Sequence, residues 1–178
     1  MKKSLADSIF EKKIALFKYL SKEELGQVLS KFKQRSVEKD TVLFKEGSQG
    51  DELFLIESGT VDVFLTRGEI TIVLAELKEP SFFGEMALLT EKTRSATVRT
   101  KTDCEFLVLK KQDLTDIYEN NSKIASKLLL AIGEILSERI IIGNKNMENY
   151  FLINRAIVDN EEFRRLYILS HKAPSSNG

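Results

Sequence analysis

The chain has 178 residues, 42% of them hydrophobic, which suits one domain with a real core and an appendage at most. Lys+Arg 27 balance Asp+Glu 27, so no global field draws the protein to nucleic acid or to an anionic membrane. A single cysteine, Cys104, excludes an intrachain disulfide framework and agrees with a reducing compartment.

The first residues mix Lys2, Lys3, Asp7 and Glu11 with apolar side chains, unlike a signal peptide, and no apolar run reaches bilayer length. A soluble, cytoplasmic protein with no membrane insertion is expected. Ile9, Ile14, Leu16, Phe17 and Leu20 recur at helical spacing. Ser21 and Glu24 form a capping-box pattern before a second helix with Leu25, Val28 and Leu29 facing inward. Helices are therefore expected within 6–31.

From Phe32 the period changes to two. Strands are expected at Gln34–Val37 and Thr41–Phe44, then along Leu53, Leu55, Val61, Val63 and Leu65 with a break at Ser58–Gly59, and at Ile70–Leu74. Gly47, Gly50 and Gly59 punctuate them, and a positive φ is expected at Gly50 and Gly59. Ala96, Val98 and Thr100 alternate, as do Cys104, Phe106 and Val108, which makes Cys104 a buried structural thiol. The fold class is α+β: an antiparallel, jelly-roll-like β-roll of about eight strands over 32–109, with helices before and after.

Residues 110–119 turn helical, with Leu114, Ile117 and Tyr118 on one side. A longer helix over 122–142 carries Ile124, Leu128, Ala131, Ile132, Ile135 and Leu136, an apolar face wider than one contact requires. Gly133 lies mid-helix, at a cost of about 1 kcal/mol relative to Ala. It marks either the close approach of a partner helix, as in a homodimer through 122–142, or a tolerated packing position. Gly143–Asn144 supplies a helix stop. One domain is thus expected over 1–143. A helical tail follows over 144–178, with Phe151, Leu152, Ile157, Phe163 and Leu166 apolar and 173–178 disordered.

The most informative stretch is Ser81–Val98. It holds a Gly-carboxylate pair (Gly84, Glu85), a short apolar turn (Met86 to Leu89), a polar loop, Arg94 and then a strand. The first amides of such a turn lack intrahelical partners and attract an anion. Arg94 can fork two hydrogen bonds onto a phosphate, and Glu85, acceptor-only when ionised, suits sugar hydroxyls. Together these describe a pocket for a phosphorylated sugar.

Phe83-Gly84-Glu85-Met86-Ala87-Leu88-Leu89 followed by Arg94-Ser95-Ala96-Thr97-Val98 resembles the phosphate-binding cassette of cyclic nucleotide-binding domains. That family includes catabolite activator proteins, the regulatory subunits of cyclic-AMP-dependent protein kinase and cyclic-nucleotide-gated channels. The resemblance spans about Leu16 to Ile142. It implies that Arg94 holds the cyclic phosphate, helped by amides near Ala87 and Ser95, and that Glu85 holds the ribose 2′-hydroxyl. By position Arg139 and Ile140 fall near the family's base contacts. The candidate binding residues are therefore Phe83, Gly84, Glu85, Met86, Ala87, Arg94, Ser95, Ala96 and Arg139. Ser95 after the cassette arginine resembles bacterial cyclic-AMP binders, whereas Thr there often accompanies cyclic GMP preference. Cyclic AMP is the expected effector and cyclic GMP the other candidate.

The resemblance further implies that the ligand is an effector and not a substrate, and a stand-alone sensor is the expected function. Ligand would pull the cassette inward, Leu88 would repack against the next helix, and the C-terminal helices would act as hinge and lid, signalling to an unknown protein partner. A transcription regulator is disfavoured. The 35 residues after Gly143 (178 − 143) show no helix-turn-helix, and Asp159, Glu161 and Glu162 oppose DNA. An enzyme on a similar β-fold, such as a cupin, would need clustered histidines, and His171 stands alone. The remaining alternative is a nucleotide-independent interaction module.

Overall fold

The structure is a computed structural model, and it describes residues 5–89 and 93–159. The chain opens with α1 (Leu5–Glu11), a single 3₁₀ turn (Ala15–Phe17) and α2 (Lys22–Leu29). The helix expected along Ile9 to Leu20 is broken. Lys13 takes a left-handed φ of 48°, a conformation that ends helices, and its amide donates to Phe10 O at 3.2 Å. The apolar positions are nonetheless buried: Ile9, Ile14, Leu16, Phe17 and Leu20 all point inward. The capping box forms as the sequence predicts. Glu24 N donates to Ser21 Oγ at 3.3 Å, and Ser21 N donates to Glu24 Oε2 at 2.8 Å.

Among the described residues eight strands follow: β1 (Lys33–Val37), β2 (Val42–Phe44), β3 (Glu52–Ser58), β4 (Thr60–Arg67), β5 (Ile70–Lys78), β6 (Phe82–Phe83), β7 (Thr97–Thr100) and β8 (Cys104–Lys110). They make two antiparallel four-stranded sheets, ordered β1-β8-β3-β6 and β2-β7-β4-β5. The α+β β-roll is the fold. Between the sheets lies a core of Phe54, Ile56, Val61, Phe83, Val98, Cys104, Phe106 and Val108. Phe54 stacks on Phe83 at 5.1 Å between centroids and meets Phe106 edge-on at 5.7 Å. The alternation expected along β3 understates its burial. Leu53, Phe54, Leu55 and Ile56 are all buried, so both faces of this strand are covered. Gly59 has the expected positive φ, 93°, and Gly47, where none was expected, has one of 76°. Gly50 does not; its glycine serves a different purpose, described below.

After the roll come α4 (Lys111–Asn120) and α5 (Ser122–Asp159). Leu114 and Ile117 are buried, but Tyr118 is 60% exposed and points away from them. At the start of α5 Ile124 N donates to Asn121 Oδ1 at 3.2 Å, a side-chain cap. Lys127 Nζ reaches Glu24 Oε1 at 2.8 Å and Oε2 at 2.6 Å and so ties α5 to α2. No stop occurs at Gly143–Asn144. The helix runs 38 residues through both, since the roughly 1 kcal/mol cost of one glycine is outweighed by sixteen further hydrogen-bondable residues. Among the described residues a Cβ on Gly133 would meet nothing within 4 Å, so a side chain there would find space. The chain divides into two compact units, Met1–Gly133 and Glu134–Gly178. Residues 144–159 of the expected tail are helical, and the readings for 160–178 lie outside the described residues. Among the described residues no helix is long and apolar enough to cross a membrane.

Candidate functional site

The site is built around one arginine. β6 ends at Phe83, which is anchored in the aromatic core, and the chain turns at Gly84 with φ 81°. Glu85 follows, buried to 3% exposure, and then α3 (Met86–Leu89). Arg94 lies across this turn. Its amide donates to Ser48 O and its carbonyl accepts from Gly47 N, both at 2.8 Å, which pins its backbone to the turn before β3. Its side chain folds inward to 7% exposure.

Arg94 Nη1 donates to Glu52 O at 2.9 Å and, weakly, to Gly84 O at 3.5 Å. The guanidinium carbon sits 4.0 Å from the centroid of Phe44, a cation–π contact. Nε is buried with no hydrogen-bond partner. Burial pushes the guanidinium below its ordinary pKa, against the opposing pull of Glu52, Asp51 and Glu85. Among the described residues Arg94 makes no salt bridge. A desolvated cation held by neutral carbonyls and a ring is under-satisfied, and an anion with acceptor oxygens would complete its bonding.

Two glycines make room for it. A Cβ on Gly50 would stand 2.2 Å from Arg94 Nε, and one on Gly84 would stand 2.7 Å from Glu52 O and 2.8 Å from Arg94 Nη1. Gly50 is thus required for space and not for a positive φ. Gln49, Gly50 and Asp51 also wall an open depression of about 290 Å³ beside the arginine's turn.

The remaining expected residues divide. Gly84, Glu85 and Arg94 come together, and Phe83 lies beneath them with its side chain committed to the core. Ala87 and Ala96 are buried; Met86 and Ser95 are exposed, with Ser95 Oγ donating to Met86 Sδ at 3.9 Å. The amides expected to point outward are used locally: Ala87 N donates to Gly84 O at 3.2 Å and Leu88 N to Glu85 O at 3.0 Å. Arg139 is an exposed residue of α5 in the second unit. Phe44, Gly50 and the Glu52 carbonyl escaped the sequence reading. A backbone carbonyl leaves no sequence signal, and Phe44 reads as an ordinary strand residue. Residues 90–92 of the cassette loop are outside the described set. Among the described residues no group of three His, Cys, Asp or Glu side chains could hold a metal.

A family profile described as the cyclic nucleotide-binding domain matches residues 34–121. Those residues belong to the cyclic nucleotide-binding domain family. The chain is similar to the cyclic AMP receptor protein of Thermus thermophilus, 34% identical over 124 residues, covering 69% of this chain and 57% of that protein. It is likewise similar to the cAMP-dependent protein kinase regulatory subunit of Candida albicans, 36% identical over 88 residues, covering 49% of this chain and 18% of the relative. The crystal structure of a cyclic nucleotide-binding domain from Methylobacillus flagellatus superposes with a TM-score of 0.73 at 25% identity, covering 82% of this chain and 85% of that one. The chain spans little more than half the length of these curated relatives at most.

Proposed function

We propose that this cyclic nucleotide-binding domain is a sensor for cyclic AMP that passes ligand state to a partner protein through α5. The observation that carries this reading is the buried Arg94 guanidinium, short of partners, in a cradle kept open by Gly50 and Gly84. The cyclic phosphate would supply the missing acceptors and the counter-charge. Glu85, buried beside it, would accept from the ribose 2′-hydroxyl, and Ser95 at the exposed edge favours cyclic AMP over cyclic GMP. Leu88 is buried in the cassette, so an inward pull on Arg94 would be felt by α4, against which α3 packs. Ligand can shift that packing only through its differential affinity for the two states. On α5, Ile140, Ile141, Ile142 and Met147 are exposed, apolar surface for a partner, with a second copy of this chain as one candidate through 122–142.

Calorimetric titration with cyclic AMP and cyclic GMP in parallel tests the reading. Cyclic AMP should bind more tightly and raise the melting temperature. Arg94→Ala should weaken it by about 10- to 150-fold, the loss of one charge-assisted contact of about 1.5–3 kcal/mol. No heat with either nucleotide, on protein shown to be ligand-free, would favour the interaction module instead.

A further inference from the structure

The outer edge of the second sheet carries a feature the nucleotide site does not use. β5 is the end strand of β2-β7-β4-β5 and among the described residues pairs only with β4, so one row of its backbone groups faces outward. Edge strands are usually protected by shortness, charge or proline. The other edges follow that rule. β2 has three residues, β6 two, and β1 carries Lys33 and Arg35. β5 breaks it, with nine residues and neither charge nor proline from Ile70 to Ala75. Ile70 is 66% exposed, Val73 61% and Leu74 54%.

Charge at the two ends of this stretch selects the occupant. Glu69 precedes the apolar run and Lys78 ends the strand; both are exposed, and neither makes a side-chain hydrogen bond or salt bridge among the described residues. Their charged neighbours are committed elsewhere, Arg67 to Glu46 and Glu76 to Lys101. A strand with an unpaired acid at one end and an unpaired base at the other is complementary to itself run antiparallel.

The register agrees. Phe64 opposes Val73 and Val63 opposes Ala75, which leaves Leu74 as an extra residue. One extra residue reverses the alternation, so Ile70 and Ile72 share a face with Ala75 and Leu77. A twofold axis between Val73 and Leu74 then sets Ile72 opposite Ala75 and Ile70 opposite Leu77, and brings Glu69, in the turn just before Ile70, to the end where Lys78 of the second copy lies. Without the bulge this symmetric register would place opposite faces together.

We propose that β5 is a homotypic interface: two copies of this chain join edge to edge through antiparallel β5 strands, making one continuous eight-stranded sheet closed by two Glu69–Lys78 pairs. The pairing is isologous and uses the β5 edge of each copy, so β5 by itself joins two copies and no more. It is independent of the nucleotide reading and of any contact through α5.

Sedimentation velocity of the full chain, from micromolar to near-millimolar concentration, provides the test. Glu69→Lys and Lys78→Glu alone should each weaken self-association by about tenfold, because two attractive contacts per dimer become repulsive. The double variant should restore it. Since both side chains are exposed and uncommitted, all three variants should melt as the parent does. A parent that stays monomeric, single variants that associate unchanged, or a double variant as weak as the singles would each overturn the interface.

Discussion

β3 and β5 are both apolar strands bounded by turns, and the protein treats them in opposite ways. Leu53 to Ile56 of β3 are each no more than 1% exposed, whereas Ile70 to Leu74 of β5 are all exposed. Composition does not separate them; position in the sheet order does. β3 lies between β8 and β6 with both faces covered, and β5 ends its sheet. The cassette depends on the covered strand: the first residue of β3 supplies the carbonyl that holds Arg94, and Phe54 stacks beneath Phe83. The exposed strand stays available for contact with other molecules. Burial and availability are thus assigned by topology to segments of similar hydrophobicity.

The contrast is most directly broken by truncation. Phe54→Ala should cost about 3–5 kcal/mol in a urea titration, since it removes a ring from a closed aromatic cluster. A loss below about 1 kcal/mol would mean that this core collapses around the gap. Next in size, Gly50→Ala should lower cyclic AMP affinity by about tenfold while leaving the melting temperature of the free protein nearly unchanged, because the new methyl displaces the guanidinium but not the strand. A smaller effect follows from acid. The bond from Lys127, and then that from the Ser21 amide, hold the Glu24 carboxyl below its ordinary pKa. A depressed carboxylate contributes stability above its unfolded value, near 4.3, and that contribution fades as pH falls through the folded one. Lys127→Met should therefore flatten the acid limb of the stability–pH curve and leave the limb above neutrality unaltered. Smallest of all, Ile72→Thr, measured at submicromolar concentration where copies are dispersed, should change stability by no more than about 0.5 kcal/mol.

Much of the candidate site was legible because the residues proposed for it are side chains at fixed spacing. Gly84, Glu85 and Arg94 can be read from the chain, and the structure brings all three together. What was illegible resides in the backbone or in sheet order. The Glu52 carbonyl carries no sequence signature, and Gly50 is needed because Arg94, 44 positions later (94 − 50), passes over it. The β-roll itself was clear from its two-residue period and glycine punctuation. The opposite fates of β3 and β5 were not, since hydrophobicity does not report a strand's neighbours. Local rules also failed where tertiary packing overrode them. Gly143–Asn144 reads as a helix stop and is helical, while Lys13 carries no stop signal and ends α1's run.

Glu24 bonds at once to the amide at the head of α2 and to an ammonium 103 positions away on α5. One carboxylate thereby makes the Ser21 amide a spectroscopic reporter for α5. Any event that draws Lys127 away alters the charge felt by that N–H without moving its own helix. In a nitrogen–proton correlation spectrum recorded during nucleotide titration, the Ser21 cross-peak should then follow α5, far in sequence from the cassette proposed to hold the ligand.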